Sequence, residues 1–175
     1  RGTDYIDIYW VHIRDALTPA AETLRELDDA VRAVKILYVG ISDAPAWWVA
    51  RANTLAEWRD WSAFAGLQVQ YNLIERTPER ELIPMAEALD LAVCAWSPLA
   101  GGTLTGKYRA GAKTAGARYE VAPGLGALLK SGAERTQKIV EAVVSIAEDM
   151  NRKPHQVALN WLRQRSFGVP VIPII

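Results

Sequence analysis

The sequence has few of the features that would assign it to several large classes of protein. Its single cysteine, Cys94, has no second thiol for an internal disulfide, which is typical of a reducing compartment. Twenty Lys and Arg residues balance twenty Asp and Glu residues, so no basic surplus favours nucleic acid or an anionic membrane surface. No apolar run approaches the roughly 20 residues that span a bilayer. We therefore predict a cytoplasmic globular protein that binds neither nucleic acid nor membrane.

Several signatures of catalytic and binding sites are also missing. No GxGxxG motif follows a strand-like run, and no GxSxG motif occurs. The His, Cys and acidic residues show no metal-ligand spacing, so no metal site is predicted. The chain begins at Arg1 without a Met or a secretory signal, only a few residues before a strand-like run. Such a start is typical of the middle of a longer protein.

Strand-like and helix-like segments alternate along the chain. Apolar runs predict strands at residues 5–12, 36–41, 67–71, 91–96 and 169–175. Between the first two, Leu24, Leu27, Val31 and Val34 repeat at helical spacing. Alternation of this kind predicts a parallel sheet with right-handed crossovers, and a spacing of just under thirty residues is typical of a (β/α)8 barrel. A complete barrel needs about 250 residues. The alternative is an open doubly wound sheet.

One long segment interrupts this alternation. Eight of the twelve glycines lie between Gly101 and Gly132, which predicts a Gly-rich loop at about 99–132. Loops of such length in compact domains are either functional or disordered. We predict that residues 1–175 form a single domain that carries this loop.

Polar residues recur at the carboxyl ends of four predicted strands, where parallel α/β folds place their sites. These residues are His12, Ser42 with Asp43, Gln68 with Tyr71 and Asn72, and Trp96 with Ser97. Their recurrence at one end of the sheet predicts a shared pocket.

Each candidate also has an explanation that involves no ligand. A histidine after an apolar strand is often a hydrogen-bonded core residue, and Ser42 or Asp43 could cap the next helix. Gln68 could be a polar residue near a strand end, and Trp96 a core aromatic. Lys107 could be a solvated surface charge.

Four segments carry a resemblance to a known family. YIDIYWVHI, YVGISD, LQVQYN and AVCAWSPLAGGTLTGKY resemble the aldo-keto reductases, and the WSPLAGG run resembles their bacterial and potassium-channel β-subunit branches. The resemblance runs from Tyr5 to the end and matches barrel strands four to eight. It implies an α/β fold that is part of a TIM (β/α)8 barrel, with about five parallel strands and covering helices.

The resemblance also implies roles for individual residues. His12 matches the histidine that orients the substrate carbonyl, and Trp96 matches the aromatic that stacks on nicotinamide. Ser42 and Gln68 match residues that hold the nicotinamide carboxamide, whereas Asp43 stands where the family has Asn. The residues that would approach the cofactor phosphates are Ser97, Pro98, Leu99, Ala100, Gly101 and Lys107.

The family's catalytic Asp, Tyr and Lys lie on the first three strands, which the resemblance places before Arg1. It therefore implies a truncated NADPH-dependent reductase of small aldehydes or ketones, with weak NADPH binding and weak or absent activity. The alternatives are a non-catalytic nucleotide-binding or interaction module, and a gene fragment without a selected role.

A partial barrel should also associate with itself. If His12 faces the barrel interior, so do Trp10, Ile8 and Ile6, because side chains alternate along a strand. These apolar side chains would lack cover and the outer strands would keep unpaired backbone groups, so we predict a dimer or a larger oligomer.

Overall fold

The computed structural model describes residues 2–108, 133–165 and 167–175. Within these residues the chain forms a five-stranded parallel sheet in the order β1-β2-β3-β4-β5. The strands are β1 (Ile6–His12), β2 (Ile36–Ser42), β3 (Phe64–Gln70), β4 (Ala92–Trp96) and β5 (Val171–Pro173). The α/β class and the five parallel strands expected of a partial barrel are confirmed.

Helices connect the strands. They are α1 (Ala20–Arg32), α2 (Ala46–Arg59), α3 (Leu82–Ala88), α4 (Ala133–Asp149) and α5 (Pro154–Arg163). Among the described residues, two short 3₁₀ helices add to these, Thr77–Arg80 before α3 and Ala100–Thr105 after β4. Each of the first four strands is thus followed by helical structure, which is the arrangement that parallel strands require.

Helix α1 buries part of the apolar face that the sequence predicts, whereas Val34 lies after the end of the helix and is 63% exposed. Leu24 and Leu27 are buried, and they lie three residues apart on one face. The helix begins at Ala20, with Pro19 at the N-cap. The Thr18 hydroxyl donates to the Asp15 carboxylate in the preceding loop, so it does not cap the helix.

Helix α2 is bound to strand β3 by one buried amide. Asn53 Nδ2 donates to the Phe64 carbonyl and Asn53 Oδ1 accepts from the Phe64 N–H, each at 3.0 Å. Trp48 packs beside the same residue, with its ring centroid 6.2 Å from that of Phe64. Val39 and Ile41 of β2 are buried, as are Leu67 and Val69 of β3. This helix-covered side of β2 and β3 forms the core of the sheet.

The chain divides into two compact units. The first comprises Arg1–Val69, Pro78–Cys94 and Ser166–Ile172, and the second comprises Gln70–Thr77, Ala95–Arg165 and Pro173–Ile175. In the second unit, buried residues of α4, α5 and the 3₁₀ helix form one apolar cluster, namely Ala100, Leu104, Val140, Val143, Val144 and Ala158.

Two expectations depend on regions that the structure describes in part. The single domain over residues 1–175 stays a prediction. Of the Gly-rich loop predicted at about 99–132, residues 109–132 lie outside the described residues, and Ala100–Thr105 forms a 3₁₀ helix. Across the described part of the chain, none of the helices has both the length and the apolar character needed to cross a membrane.

Candidate active site

Three predicted site residues lie side by side across neighbouring strands of the first unit. His12 is registered with Ser42 in the β1–β2 pairing, and Ser42 is registered with Gln68 in the β2–β3 pairing. Registered residues of parallel strands lie abreast, and side chains at such positions share a face of the sheet. The structure therefore brings His12, Ser42 and Gln68 into one row at the carboxyl ends of three strands.

Asp43 lies directly after this row and contacts its first member. Its Oδ2 atom is 3.3 Å from His12 Nε2, and both side chains are partly exposed to solvent. Asp43 has a φ of 50°, a left-handed conformation that Asp tolerates better than most residues. The carboxylate is thus held beside the imidazole at the end of the row.

Ser42 is the most buried residue of the row. Only 1% of its surface is exposed, and within the described structure its Oγ atom has no hydrogen-bond partner. A buried hydroxyl without a partner costs about 1–3 kcal/mol, so such groups in native proteins call for an explanation. A helix cap does not supply one, because the N-cap of α2 is Pro45 and no side chain caps it.

A tryptophan lies on the same face, next to the row. Trp10 precedes His12 by two residues and therefore shares its face of β1. Gly40 of β2 is registered with Trp10, and Gly66 of β3 is registered with Gly40. Both glycines lie beneath the Trp10 indole. A Cβ atom on Gly40 would clash with the ring, and one on Gly66 would be 3.0 Å from Trp10 Cη2. The two glycines make space for an indole that spans two neighbouring strands.

The remaining predicted residues form a turn in the second unit. Trp96 ends β4 and is partly buried, and its carbonyl accepts from the Tyr71 N–H at 3.4 Å. Ser97 follows with a φ of 54°, and its carbonyl accepts from the Ala100 N–H at 2.8 Å. Ala100 also has a positive φ, of 50°. Two non-glycine residues in the left-handed region mark a strained turn of the kind found at functional sites.

Asn72 holds this turn in place. Its side chain is fully buried, and Nδ2 donates to the Ser97 carbonyl at 3.0 Å. Its Oδ1 atom accepts from the N–H groups of Ile74 and Glu75, each at 2.9 Å. Asn72 thus links the loop after β3 to the loop after β4, which is a structural role. Leu104, fully buried in the apolar cluster, fixes the other end of the turn.

Lys107 folds back over the turn. A Cβ atom on Gly102 would be 2.6 Å from Lys107 Cε and 2.8 Å from Nζ, and Gly102 has a φ of 94°. The lysine Nζ atom also lies 5.2 Å from the centroid of the Tyr108 ring. Of the other turn residues, Pro98 is buried, while Leu99 and Gly101 are partly buried. An ammonium group therefore lies against glycine backbone, an arrangement suited to an anion.

Two further residues near the strand ends have structural explanations. Burial raises the pKa of the Cys94 thiol, which favours its protonated form. The Tyr71 side chain is fully buried and packs on Trp161, with ring centroids 5.5 Å apart. Neither is placed to react with an external substrate.

Three contacts of this region were not predicted from the sequence: the His12–Asp43 pair, the hydrogen bonds of Asn72 and the position of Trp10 over glycine. The position of Trp10 had a signal in the sequence, because an isolated glycine inside a strand often marks the close approach of another group to the backbone. Gly40 is such a glycine inside the predicted strand 36–41, whereas Gly66 lies just before the strand predicted at 67–71 and is inside β3 only in the structure. The bonds of Asn72 had no comparable signal, since its partners are backbone groups of two separate loops.

A parallel α/β sheet with a polar row at the carboxyl ends of its strands is the arrangement of an oxidoreductase or another α/β enzyme. The model of the aldo/keto reductase family matches residues 1–175. The chain belongs to the aldo/keto reductase family.

Curated relatives agree with this assignment. An aldo-keto reductase of Fusarium vanettenii is 35% identical over 171 residues, which are 98% of this chain and 45% of the relative. The uncharacterized oxidoreductase YrpG of Bacillus subtilis is 35% identical over 163 residues, 91% of this chain and 46% of the relative. The protein Tas of Escherichia coli is 35% identical over 182 aligned residues, 94% of this chain and 52% of Tas. The chain thus spans about half the length of these relatives.

Proposed function

We propose that this chain forms the nicotinamide-binding part of an NADPH-dependent reductase that converts a small aldehyde or ketone to an alcohol. The observation that carries the proposal is the row of His12, Ser42 and Gln68, with the unpartnered Ser42 hydroxyl buried at its centre. Membership of the family supports the reaction class.

The chemistry of the row suits a nicotinamide carboxamide. A primary amide offers both N–H donors and a carbonyl acceptor. The Ser42 hydroxyl can donate and accept, and the Gln68 side-chain amide can do both as well. A carboxamide at this position would supply the partner that Ser42 Oγ lacks.

The turn of the second unit is proposed separately as a phosphate-binding segment. Gly101 and Gly102 present backbone without a Cβ barrier, with φ values of 62° and 94°. Lys107 places an ammonium group over this backbone. Trp96 lies directly before the turn and offers an aromatic face for a planar ring.

The bound cofactor would supply the hydride for carbonyl reduction. In this proposal His12 orients the carbonyl oxygen by donating a hydrogen bond from its imidazole. No proton donor for that oxygen is assigned to the described residues. Because general-acid catalysis contributes roughly 10²–10⁴-fold, turnover by this chain should be slow.

Calorimetric titration with NADPH tests the binding step. Ser42→Ala should weaken binding by roughly three- to tenfold, as expected for the loss of one hydrogen bond. Ser145→Ala, at an exposed position of α4, removes the same hydroxyl elsewhere and should leave the dissociation constant unchanged. Absence of NADPH binding by the unaltered chain, or equal binding by Ser42→Ala, would contradict the proposal.

A second candidate function is nucleotide binding without turnover. The contact between His12 Nε2 and Asp43 favours it, because that nitrogen is then engaged away from a carbonyl. Oxidation of NADPH in the presence of a reactive aldehyde separates the two functions. Slow oxidation of NADPH that is lost in His12→Ala supports carbonyl reduction. Binding of NADPH without any oxidation supports nucleotide binding without turnover.

We also propose that the chain associates with itself through β1. Tyr5, Ile6, Ile8 and Tyr9 are exposed, although they lie on or beside a strand. Light scattering should give at least twice the 19.3 kDa mass of the chain, and Ile8→Lys should shift it toward the monomer. A stable monomer at every concentration would rule the association out.

A further inference from the structure

Asp43 introduces a negative charge beside the row of His12, Ser42 and Gln68. It follows Ser42 directly, and its carboxylate lies 3.3 Å from His12 Nε2. No side chain caps α2, whose N-cap is Pro45, so the carboxylate is not needed to begin that helix. Its side chain is 39% exposed, which leaves it open to a ligand and to solvent.

The two redox states of a nicotinamide cofactor differ in charge at the ring. The oxidised ring carries a positive charge, and the reduced ring is neutral. The carboxamide is the same in both states, so hydrogen bonds to it do not distinguish them. A carboxylate near the ring therefore attracts the oxidised state selectively.

Resting on the proposed function, we infer that Asp43 makes the site discriminate between the two redox states and favours NADP+ over NADPH. The asparagine that the resemblance implies at this position is neutral and would supply no such preference. Asp43 is thus a residue that determines which cofactor state is held more tightly.

The size of the effect is limited by solvent. Partly exposed charge pairs in proteins contribute up to about 1 kcal/mol, equivalent to roughly a fivefold change in an equilibrium constant. The ratio of the two dissociation constants should therefore change by about two- to fivefold when the charge is removed.

The test measures dissociation constants of NADP+ and NADPH by calorimetry, for the unaltered chain and for Asp43→Asn. Asn tolerates the left-handed backbone and keeps the size of the side chain, so the fold is preserved. Any new amide hydrogen bond would change both constants alike, and the ratio between them isolates the charge. The preference for NADP+ should fall by about two- to fivefold in Asp43→Asn.

Asp60→Asn is the matched control. Asp60 has a φ of 54° and follows α2, before the amino end of β3 and therefore at the opposite end of the parallel strands. The substitution removes the same charge from the same backbone conformation and should leave the ratio unchanged. Raising the salt concentration should shrink the effect of Asp43→Asn, because a charge at an exposed site is screened.

The outcomes separate this inference from the function on which it rests. An unchanged ratio in Asp43→Asn overturns the inference, as does a change that is insensitive to salt or is shared by Asp60→Asn. All three results leave NADPH binding itself intact. If the unaltered chain binds neither nucleotide, the proposed function fails, and the inference fails with it.

Discussion

Strands β1 and β2 pair along their length, yet their side chains have very different surroundings. Ile8 of β1 is 47% exposed, whereas Ile41 of β2 is fully buried. β2 lies between two strands, and β1 lies at the edge of the sheet. The two strands are similarly apolar in sequence, so composition does not explain the difference. The two side chains also lie on opposite faces, since Ile8 shares its face with Trp10 and His12 whereas Ile41 lies on the helix-covered face. Tyr38 of β2, which is registered with Ile8, is 60% exposed as well. The face that a side chain occupies, together with the edge position of β1, therefore decides which apolar residues become core.

The largest expected effect comes from the same substitution made in both strands. Ile41→Ala should lower the free energy of unfolding by about 2–5 kcal/mol, because it opens a cavity in the core. At concentrations too low for self-association, Ile8→Ala should cost less than about 1 kcal/mol, since much of its side chain is then in water. Urea denaturation of both variants provides the comparison. Equal losses would mean that β1 is covered in solution, as self-association through this strand requires.

A smaller effect on stability is expected from a substitution at the contact between Trp10 of β1 and Gly40 of β2. Gly40→Ala should cost about 1–3 kcal/mol, because the new methyl group clashes with the Trp10 ring. In a Trp10→Leu background the same substitution should cost much less, since the ring that it meets is gone. Thermal unfolding of the two single variants and the double variant measures this coupling. Additive losses would show that the indole does not lie over Gly40 in solution.

The smallest expected effect on the free energy of unfolding comes from a carboxylate of α1, the helix that packs on β2. The side chain of Asp28 in α1 accepts from Arg32, and also from the N–H and hydroxyl of Ser62 at 2.8 and 3.0 Å. The bond from Arg32 is the main reason that the pKa of Asp28 lies below its ordinary value of 3.8, with the bonds from Ser62 adding to it. Because the folded state favours the ionised carboxylate, this stabilisation is present above pH 4 or so and is lost as the pH falls below it.

Asp28→Asn should therefore lower the free energy of unfolding by about 1 kcal/mol at neutral pH. The difference from the unaltered chain should shrink as the pH falls from about 4 through the lowered pKa of Asp28, below which both side chains are uncharged. Asp29→Asn, which removes an exposed carboxylate of the same helix, is the control and should change stability little. A difference that stays constant down to acidic pH would show that the charge of Asp28 is not the stabilising feature.

Much of the fold was predictable because it depends on local patterns. The apolar runs and helical spacings predicted five strands and their alternation with helices, and the structure has both. Some boundaries moved. β3 begins at Phe64 rather than at 67, because Phe64 is held by Asn53 of α2, a contact between residues far apart in the chain. Local patterns carry no information about such a partner.

The candidate site was predictable in its residues and less so in its contacts. The ends of predicted strands identified His12, Ser42 and Gln68, and the register of the sheet brings them abreast. The suggestion that Ser42 or Asp43 caps the next helix was wrong, because α2 begins after Pro45. The His12–Asp43 contact depends on how two strands are aligned, so no pattern within either strand could have indicated it.

The sequence by itself determined the class of this protein, since the period of its apolar residues and its motifs are local properties of the chain. Only the tertiary structure decided which of those residues are buried and which are hydrogen-bonded. Among the described residues, it left the Ser42 hydroxyl buried without a partner, placed Trp10 across two glycines and left side chains of β1 exposed. The physical reason is that burial and pairing depend on neighbours brought together from distant parts of the chain.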